Sequence, residues 1–323
     1  MSVTTTSPRF SIIIPTHNRP LLLGRAITSI LNQNFSDFEI IISDNNSTDQ
    51  NQKIAADYVK KDSRIGYIYN PLGGLARARN FGAKHSKGEI ISFLDDDDLF
   101  ASNYLSEVNE FLINNNSEVV LVGFRCNDGG KKIYIYPQIS PPWLVLVGNG
   151  ASLRRNVFDD KKLYFDDELV VMEDVIFGFL TARNCRIGLI NKPLLIYNRI
   201  EGDVIHNQLT NRYKWLEEQN QIVYKKYIRE YIAYNKKAGA WFNLSIGNLL
   251  AGYGNMVGGR EYLRRSLMLQ FRISHLYYYL LSFFPRKIFY FGHHVKLFVR
   301  HVLDGYYLKN IKMRKNEIVE VEK

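Results

Sequence analysis

Glu89-Ile90-Ile91-Ser92-Phe93-Leu94-Asp95-Asp96-Asp97-Asp98 is the stretch whose reading decides how this chain folds. A short apolar run that follows Lys87-Gly88 and stops at a polar cluster reads as a buried strand. The four acids then stand at its carboxyl end, where open α/β sheets place their ligands. Like charges crowded there raise one another's pKa values unless a cation neutralises them. Hard carboxylate oxygens suit Mg²⁺ or Mn²⁺, ions commonly shared with a substrate's phosphates. A plainer account makes the acids a solvated loop capping the next helix, because acids favour helix N-termini. The surrounding sequence decides between these accounts.

On the N-terminal side, strand and helix signals alternate. Phe10 to Ile14 is a β-branched run closed by Pro15, and residues 20–33 carry Leu22, Leu23, Ala26, Ile27, Ile30 and Leu31 at helical spacing. Glu39 to Ser43 reads as a second strand, and Thr48 or Asp49 opens a helix bearing Ile54 and Tyr58. Ile65 to Tyr69 is a third strand, after which Gly73-Gly74 leads into a helix from Leu75 to His85. The acid-terminated strand is the fourth, followed by a helix around 102–114 and a strand from Val119 to Phe124. Strands alternating with helices of this length predict βαβ units and an α/β fold with a mainly parallel central sheet. Such a sheet is covered on both faces, which explains why its strands read as continuous apolar runs.

Residues 126–165 are less regular, with a proline-rich stretch from Pro137 to Trp143 and glycines at 148 and 150. Helix and strand signals return at 173–183 and 186–197, and beyond 206 the patterns are mostly helical. The net charge of +10 is unevenly placed: from His206 onward 20 Lys and Arg face eight acids, leaving residues 1–205 at −2. A basic C-terminal region points to an anionic partner, and its charge shift sets the expected boundary near 206. Cys126 and Cys185 offer neither a disulfide framework nor metal-ligand spacing, which suits a reducing compartment. Residues 1–9 lack the apolar stretch of a secretory signal, and no apolar run approaches the roughly 18 residues needed to span a bilayer.

Strand-terminal polar groups now converge on one sheet edge. Ile12-Ile-Ile-Pro-Thr-His-Asn-Arg19 ends the first strand, and Asp44 in Ile42-Ser-Asp-Asn-Asn-Ser-Thr-Asp49 ends the second. Gly74-Leu-Ala-Arg-Ala-Arg-Asn80 opens the third helix, Asp95 to Asp98 end the fourth strand, and Met172-Glu173-Asp174 lies some way downstream. In this order and spacing residues 9–205 resemble the family-2 glycosyltransferases, whose nucleotide-sugar-binding domain has the GT-A fold. The Val147–Phe158 segment and Tyr197-Asn-Arg199 extend the resemblance.

The resemblance implies a role for each motif. Pro15, Thr16, His17 and Asp44 would cradle the base and ribose of a nucleoside diphosphate sugar, and Arg79 would lie near the nucleotide. Asp95 and Asp97 match the Asp-x-Asp pattern as metal ligands for Mn²⁺ or Mg²⁺, with Asp96 beside them. Asp174 matches the catalytic base and Glu173 supports it. Asn149 and Ser152 are candidates for the acceptor site, and His206 for an additional metal ligand. His17 stands where the family often carries an aromatic residue, and Glu201 stands where a histidine often follows the closing arginine. Each motif has a plainer alternative. Asp44 suits an Asx turn, Arg77 and Arg79 suit a solvated helix face, and Glu173-Asp174 suit the first turn of a helix.

The implied enzyme is a metal-dependent, inverting glycosyltransferase. It would move a sugar from a UDP-hexose or UDP-N-acetylhexosamine to a glycan hydroxyl in cell-surface polysaccharide synthesis. The acceptors implied include lipid-linked glycans, and residues 206–323 would form a helical, basic region for acceptor or membrane-surface association. Arg and Lys interleaved with aromatics between 260 and 303 fit an anionic membrane surface. That places the expected enzyme in the cytoplasm, peripheral on the inner face of a bacterial plasma membrane. No nucleic-acid motif accompanies the basic charge, so nucleic acid is not an expected partner. Two rivals are a catalytically silent nucleotide-sugar-binding scaffold and a sugar nucleotidyltransferase. The second calls for a glycine-rich basic loop after the first strand, where this chain has Pro15-Thr-His-Asn-Arg.

Overall fold

The computed structural model describes residues 7–47, 49–128, 133–136, 147–170, 172–199, 212–253 and 255–289. These form two compact units that divide between Asp203 and Val204.

In the first unit four parallel strands lie side by side: β3 (Ile65–Tyr69), β2 (Phe38–Asp44), β1 (Phe10–Thr16) and β4 (Ile90–Phe93). The chain builds outward from β1 to β3 and then returns to the opposite side of β1. The order of winding reverses between β1 and β4, and a ligand crevice belongs at the carboxyl ends of those two strands. Past β4 the sheet continues through β8 (Ser152–Arg154), β6 (Val119–Asp128), β9 (Ile187–Arg199) and β5 (Leu99–Phe100), with β7 (Ile133–Tyr136) paired to β6. Because β8 is antiparallel to both β4 and β6, β6 and β9 recover the direction of β4. Among the described strands only β5, β7 and β8 run against it, so the expected mainly parallel α/β sheet is present. One detail departs from the simple alternation: β6 lies one strand away from β4, with the three-residue β8 inserted between them.

Alternation along β1 explains the layers. Phe10, Ile12 and Ile14 pack with α1 (Pro20–Leu31), α2 (Asp49–Lys61) and α4 (Tyr104–Asn114), whereas Ile13 packs with α3 (Leu75–His85) and α6 (Glu173–Asn184). All four side chains are fully buried, each contributing about 1.5–3 kcal/mol. Helix α1 starts with Pro20 at its first turn and buries Leu23, Ala26, Ile27 and Ile30, the i, i+3, i+4, i+7 stripe of an amphipathic helix. Helix α3 is entered through Gly73 and Gly74, whose φ values of +66° and +100° are conformations other residues rarely adopt. The loop at Gly148 to Ala151 bonds Phe93 at the carboxyl end of β4, and a single turn, α5 (Asn156–Asp159), follows β8 at the opposite end, where Arg155 N–H donates to Glu89 O.

The second unit contains the described helices α7 (Arg212–Lys226), α8 (Ile228–Tyr234), α9 (Lys236–Tyr253), α10 (Met256–Leu269) and α11 (Ile273–Leu281). Helices α9 and α10 approach closely, since a Cβ on Gly259 would lie 2.7 Å from the Gly247 carbonyl oxygen. Asn255 caps α10 by accepting the Gly258 N–H at 2.8 Å. Ser266 donates to the Ala240 carbonyl at 2.6 Å and sits 3.0 Å from His275 Nδ1, joining α9, α10 and α11 through buried polar groups. Among the described residues no helix is long and apolar enough to cross a membrane. Pro137 to Trp143, His206 and the histidines at 293, 294 and 301 lie outside the described residues.

Candidate active site

The acidic loop leaves β4 with its direction fixed by the backbone. Leu94 N–H donates to Ile13 O at 3.1 Å, and Asp95 N–H donates to the Asn149 side chain at 3.0 Å. Asn149 also donates to the Asp98 carboxylate. Asp96 turns inward: it is 4% exposed and accepts from the Thr16 hydroxyl at 2.7 Å. Asn51 in turn donates to Thr16 Oγ1 at 2.9 Å, tying α2 to the carboxyl end of β1. Arg19 Nη1 spans two acids, 2.8 Å from Asp97 Oδ2 and 3.2 Å from Asp96 Oδ1. Burial pushes the Asp96 carboxyl up to about 7, with Thr16 and Arg19 offsetting only part of that cost. Asp97 is raised by burial and by the neighbouring Asp95 charge, against the pull of Arg19.

A second arginine joins the acidic loop to the downstream acids. Arg79, on the first turns of α3, is 2% exposed and stands 5.3 Å from the Phe165 ring centre. Its Nη2 donates to Asp95 Oδ1 and its Nη1 to Glu173 Oε1, both at 2.8 Å. Burial disfavours its charge, yet Asp95 and Glu173 outweigh that and hold the guanidinium firmly protonated. Glu173 and Asp174 open α6 behind Met172, whose φ of +63° turns the chain sharply into the helix. Burial raises both carboxyls, while Arg79 pulls them back down. Asp174 keeps one oxygen on its own helix, accepting from the Val175 N–H at 2.8 Å. A Cβ added to Gly148 would lie 3.2 Å from Asp174 Cβ and 3.6 Å from Arg79 Cζ, so glycine lets this loop run close over both side chains. The Tyr197 hydroxyl is raised by burial and by Asp98, Asp95 and Asp174, which places it among the same acids.

The nucleotide-side candidates lie at the ends of β1 and β2. Pro15 and Thr16 are the last residues of β1, paired in register with Ser43 and Asp44. His17 is exposed and bonds through Nδ1 to Asn45 O at 2.7 Å. Asn18 follows with φ +54°, its N–H donating to Ser47 Oγ at 3.0 Å. Asp44 is 1% exposed and ties down the following loop, accepting from the N–H of Ser47, three residues on, at 2.7 Å and from the Tyr67 hydroxyl at 3.0 Å. The structure thus joins Thr16, Asp96 and Asp97 through Arg19, and Asp95 and Glu173 through Arg79 with Asp174 next to Glu173, while His17 and Asp44 lie on the adjoining loop.

Two candidates take other places. Ser152 is fully buried between the Ser92 hydroxyl at 2.6 Å and the Tyr104 hydroxyl at 2.8 Å, so it cannot face an acceptor. Arg77 reaches only the Leu72 carbonyl, at 3.4 Å, and keeps a solvent-side position. Sequence reasoning missed Arg19 as the partner of the acids, and it missed the Asp95–Arg79–Glu173 bridge. The available signal was local only: Arg19 stands three residues after the end of β1, and Arg79 lies in the first turns of α3 behind Gly73-Gly74.

Two carboxylates at the end of β4, Asp95 and Asp97, keep roughly 30% of their side-chain surface open (28% and 30%). That donor set fits a hard divalent ion that takes its other oxygens from substrate phosphates and water. Among the described residues no group of three or more His, Cys, Asp or Glu side chains is arranged to hold a metal ion.

Residues 11–175 match the sequence model of the family described as "Glycosyl transferase family 2". The chain belongs to this family. It is 30% identical over 209 residues to the uncharacterized glycosyltransferase EpsJ of Bacillus subtilis, which covers 59% of this chain and 61% of the relative. It is 45% identical over 101 residues to the GalNAc(5)-diNAcBac-PP-undecaprenol beta-1,3-glucosyltransferase of Campylobacter jejuni, covering 31% of this chain and 33% of that one. The chain therefore spans less than two thirds of these relatives' length. Among solved structures it is similar to Staphylococcus aureus TarS 1-349 in complex with UDP-GlcNAc, with a TM-score of 0.65 and 18% identity over 97% of this chain and 96% of that one. That likeness establishes the expected GT-A fold of this family-2 glycosyltransferase.

Proposed function

We propose that the chain transfers a sugar from a nucleoside diphosphate sugar, a UDP-hexose or UDP-N-acetylhexosamine, to a glycan hydroxyl with inversion at the anomeric carbon. One observation carries this reading: a single buried guanidinium, Arg79, bonds both Asp95 of the acidic loop and Glu173 beside Asp174. The group that would face the departing diphosphate and the group that would face the acceptor are thereby held at a fixed separation. Asp174 takes the acceptor hydroxyl proton as attack proceeds, because a neutral sugar hydroxyl is a poor nucleophile. Its raised carboxyl, set by burial, makes it a better base than a solvated aspartate. Asp95 and Asp97 would hold Mn²⁺ or Mg²⁺, which when bound offsets the charge growing on the diphosphate. Arg19 keeps Asp96 and Asp97 in place, and Thr16 fixes Asp96 against β1. Pro15, Thr16, His17 and Asp44 frame the base and ribose.

The UDP-GlcNAc named with TarS supports a uridine donor, and the undecaprenol-linked acceptor named for the Campylobacter relative supports a lipid-linked glycan in polysaccharide assembly. The basic region from 206 onward supports work at the cytoplasmic face of a membrane. A UDP-release assay with a panel of donors and glycan acceptors, with and without chelator, tests the reading. Acceptor-dependent, chelator-sensitive release is expected. Tight donor binding without turnover for any acceptor would favour the silent scaffold instead.

A further inference from the structure

Helix α11 carries its apolar residues on both sides. His275 and Tyr278 face inward, where Tyr278 joins Ala251, Leu263 and Phe289 in the core of the second unit. Ile273, Tyr277 and Leu280 form an i, i+4, i+7 stripe on the opposite side and are 82%, 36% and 52% exposed. A helix at the surface of a water-soluble bundle ordinarily puts charge on that side. The sequence of α11, Ile-Ser-His-Leu-Tyr-Tyr-Tyr-Leu-Leu, contains no Lys, Arg, Asp or Glu.

The segments at either end extend the pattern. Phe271 and Ile273 flank Arg272, all exposed, where α10 gives way to α11. Phe283, Phe284, Arg286, Lys287 and Ile288 are likewise exposed beyond its C-terminus. Arg286 bonds the Gly252 carbonyl at 3.0 Å, anchoring this corner to α9. An uncharged outward stripe bracketed by aromatic and basic residues has the composition of a segment lying in a bilayer interface, where aromatic rings sit at headgroup depth and cations meet anionic lipid. The region from His206 onward carries a +12 balance, which rules against a basic or strongly cationic partner.

We infer that the outward face of α11, with its Phe271–Ile273 and Phe283–Ile288 flanks, is the surface by which the second unit lies on an anionic membrane. This deepens the membrane reading above and is independent of the transfer chemistry. The full chain should float with vesicles containing phosphatidylglycerol and not with phosphatidylcholine vesicles. Arg286→Gln with Lys287→Gln should lower binding on the order of thirtyfold, since each basic group near the surface contributes about a factor of five. Ile273→Asp with Leu280→Asp should abolish flotation. Ile273 and Leu280 are exposed, so circular dichroism and UDP-sugar binding of the double aspartate variant should match the unmodified chain. Equal flotation of all variants, or equal binding to both vesicle types, would overturn the assignment. So would a dimer in light scattering that the two aspartates dissolve, because a second copy would then cover the stripe. A chain that turns over donor without floating refutes only this surface, and one that floats without turnover refutes only the transfer reading.

Discussion

At the residue scale the site depends on arginines set against acids, and each pairing has a measurable consequence. Asp174→Asn preserves shape and removes the proton acceptor, so kcat should fall roughly 10²- to 10⁴-fold with donor affinity nearly unchanged, as read by acceptor-dependent UDP release and donor titration. A collapse of donor affinity with kcat intact would move the base elsewhere. Arg19 spans Asp96 and Asp97 where a divalent ion would also bind, so it competes with that ion while neutralising the apo loop. Arg19→Gln should therefore tighten Mn²⁺ binding, measured by the free-ion EPR signal. It should also lower the apo stability by about 1–3 kcal/mol, the scale of charged hydrogen bonds. Asp96 supplies a pH test. Its folded value of about 7 lies above its ordinary 3.8, so the folded state holds the extra proton between those limits. Stability of the metal-free protein then declines as pH rises from about 4 to about 7, by on the order of 4 kcal/mol from this group. Asp96→Asn should melt with the unmodified protein near pH 4 and above it near pH 7. A gap independent of pH would show that Asp96 is ionised in the fold throughout.

At the element scale, what was legible in the sequence is what one local period could carry. β3 and α3 fall on their expected residues because Gly73-Gly74 punctuate the chain between the short Ile- and Tyr-bearing run at 65–69 and the helical pattern after it. β5 and β8 were not legible: two or three residues have no period, and their partners in β4, β6 and β9 lie about 30 to 100 positions away. The acids of the site were readable for the same reason as their strand, since a run of carboxylates after an apolar stretch needs no partner to be noticed. Their arginine partners were not, because only the docking of α1 and α3 turns Arg19 and Arg79 inward. That docking leaves little slack at Gly82, where α3 backs onto β1 and a methyl would overlap Ile13. Gly82→Ala should cost about 1–3 kcal/mol, the usual penalty of overpacking. Moving α3 also moves Arg79, so the variant should lose turnover out of proportion to its loss of stability. Activity tracking stability alone would show that α3 can shift without carrying the bridge with it.

At the scale of the whole molecule the two units have separate cores and opposite charge. The nucleotide-side network is confined to residues before 205, and the α9–α11 core is confined to residues after it. Residues 1–205 carry −2 and the remainder +12. Units of this kind are expected to unfold separately unless a large apolar interface couples them. Calorimetry should then resolve two transitions. On the proposed reading a UDP-sugar with Mn²⁺ would bind only the native first unit, so it should raise one transition and leave the other in place. At a ligand concentration one hundred times Kd the gain is about 2.7 kcal/mol, enough to separate the peaks further. Anionic vesicles should act on the other transition, since the basic residues and the α11 stripe belong to the second unit. A single transition that donor and vesicles shift alike would mean that the units melt together, and the boundary near 206 would then mark a change of charge without a change of folding unit.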